Sequence, residues 1–163
     1  MEAFEILAEV AIGIAGFGSI AIVLGRDRGE WESSDFFRTS SLFMSSLGAL
    51  FLALLPVGLA TSQLAPEWIW RVSSTVMLVY IITFSLILFR WRRRYLEREL
   101  WFGPVLFSLV VSTTAANALA QILNALGFGF GPSAACYFFG VVWFLLYGCM
   151  LLMRIVFYRP QQR

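Results

Sequence analysis

Two groups of side chains in this sequence could do chemistry. The first is the run STTAANALAQILN, Ser112 to Asn124, set inside a segment otherwise apolar from Phe102 to Phe130. A helix turns about 100° per residue, so Thr113, Thr114, Asn117, Gln121 and Asn124 fall within an arc of roughly 100° and form one stripe about 16 Å long. Aligned amides and hydroxyls can replace the hydration shell of an ion or polar solute, or they can hydrogen-bond to a neighbouring helix. The second group is Glu5 and Glu9, which share an arc of about 80° with Glu2, Gly13 and Gly16. Carboxylates on one face attract cations and can carry protons.

The elements that must position these groups follow from composition. Of 163 residues, 60% are hydrophobic and 13% charged, against about 45–50% and 25% in soluble domains. This is the composition of an integral membrane protein. Five stretches are long enough to cross a hydrocarbon core of about 30 Å as helices: Phe4 to Gly25, Phe37 to Leu64, Trp68 to Phe89, Trp101 to Phe128 and Ala134 to Tyr158. They fill almost the whole chain, and the expected fold is an all-α polytopic bundle forming a single domain.

Orientation comes from arginine, since lysine is absent. Five crossings put eleven of the twelve arginines on one side and Arg71 alone on the other, and basic loops stay in the cytoplasm. The N-terminus is therefore expected outside and the C-terminus inside. The first span begins with Glu2, Glu5 and Glu9 instead of a basic region, so it reads as a retained helix and not a cleaved signal. The chain resembles small bacterial integral membrane proteins, which implies a bacterial inner membrane and no particular activity.

The absent residues exclude much. No histidine removes the commonest metal and haem ligand and the usual general base; no lysine removes Schiff-base chemistry. The only aspartates, Asp27 and Asp35, sit in or beside an inner loop. Cys136 and Cys149 are 13 residues apart on one helix, about 20 Å, too far to bridge, and read as small core residues. Neither an enzyme nor a cofactor or metal site is expected. The link GFGFGP, Gly127 to Pro132, resembles the TVGYG filter of potassium channels over a few residues, but no Thr-Val precedes it and proline follows; a turn is the expected structure.

Because amides facing hydrocarbon without partners cost several kcal/mol, the helix 4 stripe must face protein or water. Glu9, a turn or more inside the membrane, needs a partner, a cavity or a proton. Arg71 is its expected partner, with Glu5 and Glu67 as competitors. A second cation, Arg38, heads a face of small and hydroxylated residues with Ser41, Ser45, Gly48 and Ala49, expected to be a packing seam; Arg38 itself should snorkel to headgroups or pair with Asp35. Arg92, Arg93 and Arg94 are expected to meet anionic lipid headgroups. The functional expectation is a homo-oligomeric channel or transport subunit passing cations, protons or small polar solutes, with the amides lining a constriction on a shared axis below Glu5 and Glu9. The alternative is a non-catalytic membrane subunit whose stripe recognises a partner helix.

Overall fold

The computed structural model describes the backbone of residues 1–26, 33–95, 104–129 and 132–157, and the side chains of all these except residues 24–26, 33–35, 92–95 and 104. Five helices account for 92% of the described residues, with no strand among them: α1 (Glu2–Arg26), α2 (Ser33–Ala60), α3 (Pro66–Tyr95), α4 (Pro104–Leu126) and α5 (Ala134–Phe157). Each is long and apolar enough to cross a membrane.

Local chemistry shifts several ends from the positions expected from hydropathy. Helix α2 stops at Ala60 and not Leu64, because the hydroxyls of Thr61 and Ser62 donate to the Gly58 and Leu59 carbonyls at 2.7 and 2.5 Å. The same two carbonyls also accept the Thr61 and Ser62 N–H groups at 3.2 and 3.1 Å, the tightened turn in which a helix closes its last carbonyls. Helix α3 opens two residues before Trp68, at Pro66, where a missing N–H costs nothing and φ is already helical. Proline likewise opens α4. Ser133 caps α5, its Oγ accepting from the Cys136 N–H at 3.3 Å, the usual bond from the cap to the third helical residue. The expected turn at Gly127 and Gly129 is present, with φ of 77° and 85°. The Phe128 N–H bonds Leu123 O and the Gly127 N–H bonds Asn124 O, the paired closure that favours glycine just past a helix end. The expected caps of α2, Ser34 and Asp35, lie outside the described side chains.

At the centre of the bundle lie α2 and α5. Helix α1 packs against these two, α4 packs against α3 and α5, and the backbones of α1 and α4 do not approach one another. The α2 seam is built as expected: Ser41, Ser45 and Ala49 are fully buried. At Gly148 a Cβ would lie 3.1 Å from Ser45 Oγ, so small residues set the α2–α5 distance. Gly48 opens the α2 backbone to Tyr80, whose hydroxyl donates to Met44 O.

Pro56 sits inside α2 without ending it. It has no N–H to give the Leu52 carbonyl four residues back. The Tyr137 hydroxyl, from α5, donates to that carbonyl at 2.6 Å. Aromatic packing fills the remainder: Phe4, Trp70, Tyr137 and Phe138 cluster where α1 begins, and Tyr80, Phe84, Phe144 and Tyr147 further along.

Candidate functional site

The polar stripe of α4 faces protein, not lipid. Its central member, Gln121, is 0% exposed, and Asn117 and Asn124 are also buried. Asn117 Nδ2 donates to Gly140 O at 3.4 Å, and Gln121 Nε2 donates to Asn117 Oδ1 at 3.2 Å and to Cys136 O at 3.3 Å. Asn124 is the most fully engaged. Its Nδ2 donates to Ser74 Oγ at 2.8 Å and Ser133 O at 3.2 Å, while its Oδ1 accepts from the Ser133 N–H at 2.8 Å. One side chain thus ties the end of α4 to α3 and to the cap of α5.

Gly140 makes the approach possible. A Cβ there would lie 2.5 Å from Met77 Sδ, 2.6 Å from Gln121 Nε2 and 2.9 Å from Asn117 Oδ1. Thr113 and Thr114 behave differently from the amides. Both hydroxyls donate to carbonyls of their own helix, Leu109 and Val110 for Thr113 and Val110 for Thr114, and so bond to no other helix. Gln121 Oε1 at this junction, and Ser73 Oγ on α3, are buried without a partner among the described residues.

The acidic face of α1 lies elsewhere. Glu2, Glu5, Glu9 and Gly16 are exposed on a side of α1 that no other described helix covers, and a Cβ at Gly13 or Gly16 would meet nothing within 4 Å. Since α1 packs on α2 and α5 and its backbone is remote from α4, the carboxylates do not stand above the amide stripe. The expected pairing of Arg71 with Glu9, Glu5 or Glu67 is not formed. Arg71 Nη1 instead donates to the Ala125 and Leu126 carbonyls at 3.2 and 3.4 Å. A cation is favoured there by the free carbonyls and negative dipole end of α4. Arg38, near the start of α2, is 7% exposed; the side chain of Asp35, its expected partner, and those of Arg92, Arg93 and Arg94 lie outside the described residues.

Cys136 and Cys149 are both free. Cys136 Sγ donates to Ala120 O at 3.5 Å, and Cys149, expected in the core, is exposed on α5. Among the described residues no three His, Cys, Asp or Glu side chains gather as metal ligands.

Comparison with protein families, curated proteins and solved structures finds no match.

Geometry alone therefore ranks the candidates. The amides form an interhelical joint, and the residues completing it, Gly140, Cys136 and Ser133, are ones that helical periodicity does not single out. Gly140 carried a readable signal, a glycine in the middle of an apolar span where a close backbone approach is the usual cause. The carboxylates of α1 are uncovered acidic groups within a helix long enough to span a membrane.

Proposed function

We propose that the chain is a non-catalytic membrane subunit that assembles with another membrane protein through the uncovered side of α1. Glu9 carries this reading: it is exposed, about 10 Å along its span, and no cation pairs with it among the described residues. A carboxylate at that depth is costly against hydrocarbon, and such groups mark contacts with partners or water. Gly13 and Gly16 extend the same face with backbone open to a close helix approach. The partner would bring a helix with a cation or amide donor about two turns into the membrane. An outside N-terminus and a bacterial inner membrane accompany the proposal, supported by the arginine distribution and the apolar spans.

Purification from native membranes in mild detergent tests the proposal. Wild type should bring down a partner in fixed ratio, and Gly13→Leu with Gly16→Leu should lose it at unchanged Tm, since both side chains enter open space. A partner retained by the double variant, or a wild-type chain that purifies alone, sinks the reading.

The competing reading, a homo-oligomeric channel or transport subunit for cations, protons or small polar solutes, draws support from Gln121 Oε1 and Ser73 Oγ, orphaned polar atoms of the kind buried waters serve. Against it stands the burial of Gln121 within one chain, which turns the amides away from any axis between copies. Unchanged permeability of reconstituted vesicles on Gln121→Leu would dispose of it.

A further inference from the structure

The membrane face at which α1 begins also carries a groove between α3 and α4, of about 270 Å³, lined by Trp68, Arg71, Val72, Thr75, Val76 and Ala125. Its two ends differ in chemistry. Arg71 and the 59%-exposed Trp68 occupy the end near the start of α3, with the guanidinium carbon 5.9 Å from the Trp68 ring centre. Below them the lining is Val72, Val76 and Ala125, and exposed Val79 continues the line along α3.

Arg71 is held but not neutralised. Nη1 is fixed by the Ala125 and Leu126 carbonyls, whose helix end supplies about half a negative charge. The Nε–Nη2 edge makes no hydrogen bond among the described residues, and this fork fits two oxygens of one phosphate. Arg71 lies about 7 Å along α3, within reach of the headgroup layer that Trp68 marks. Thr75 already donates its hydroxyl to Arg71 O at 2.8 Å.

We propose that this groove binds a phospholipid, the phosphate on the free edge of Arg71 and one acyl chain along Val72, Val76 and Val79. Size favours a single chain over a partner helix, because one helical turn, 10–12 Å across, fills roughly 400 Å³ or more. The site is independent of the α1 face, and either can stand without the other.

The test is native mass spectrometry of delipidated protein titrated with phosphatidylglycerol. Wild type should retain one lipid per chain, held against millimolar inorganic phosphate. Arg71→Gln removes the charged bond and should weaken retention about tenfold or more. Val72→Trp fills the groove while leaving Arg71 and its carbonyl partners in place, and should weaken it comparably. It also decides the matter if Arg71→Gln fails to fold. Wild-type retention by a folded Val72→Trp protein overturns the proposal. So does complete displacement by inorganic phosphate, which would make this a free-anion site, or Arg71-dependent dimers that exclude the lipid.

Discussion

At Gly140 the absence of a side chain lets Asn117 and Gln121 reach the α5 backbone. Gly140→Ala would push a methyl against Met77, Gln121 and Asn117, atoms already engaged or fully buried. The expected cost is about 1–3 kcal/mol, read as a lower Tm in detergent, and an unchanged Tm would show that α4 and α5 can separate freely. Residue roles were only partly legible in the sequence. The stripe's inward aim followed from the cost of bare amides in lipid, but Thr113 and Thr114 left it because a threonine on a helix can satisfy itself on its own backbone. The expected pairing of Arg71 with Glu9 gives way to the open end of α4, whose Ala125 and Leu126 carbonyls take the guanidinium. A helix C-terminus is a fixed acceptor that sequence proximity does not reveal.

Among the elements, α2 shows how one helix repairs another. Pro56 frees the Leu52 carbonyl, and Tyr137 on α5 supplies the missing donor. Tyr137→Phe should therefore cost about 1–3 kcal/mol, the usual penalty for a buried unsatisfied acceptor. In a Pro56→Ala background the helix provides its own N–H, and the same change should cost less. A double-mutant cycle on thermal or denaturant unfolding measures the difference, and no coupling would mean that the carbonyl is otherwise satisfied. Proline also explains why the spans were legible but their ends were not: hydropathy senses length, whereas Pro66 and Pro104 set where the first turns begin. The side of α1 exposed to the surroundings was equally hidden, since periodicity groups Glu5 and Glu9 without saying which neighbour the group avoids.

Across the whole molecule, α4 is attached differently from the other helices. Only 6% of its most apolar stretch is buried, against 44% for α2, and its packing on α3 and α5 includes the three buried amides. In hydrocarbon, apolar packing between helices gains little over lipid contact, and hydrogen bonds average below about 1 kcal/mol each. Asn124→Ala, which removes three such bonds, should therefore destabilise by about 1–2 kcal/mol. Gln121→Leu, which removes two but also an unpartnered oxygen, should cost less. The reverse order, measured by denaturation in one detergent, would place the strength of the joint at Gln121. Helix number was legible from composition and span length, but helix adjacency was not, because periodicity describes one helix at a time.

The amide joint also bears on biogenesis. A chain grows from its N-terminus, so α4 enters the membrane with Asn117, Gln121 and Asn124 before α5 has been made. Of their partners on other helices, only Ser74 is then present; Gly140, Cys136 and Ser133 are still to come. Helix α4 is also the least hydrophobic of the five spans, at a mean hydropathy of 1.6. Until synthesis reaches α5, it is the segment most dependent on the insertion machinery or a chaperone. Chains truncated after Phe128 and released into the membrane should accordingly crosslink to that machinery through α4, and the full chain should not.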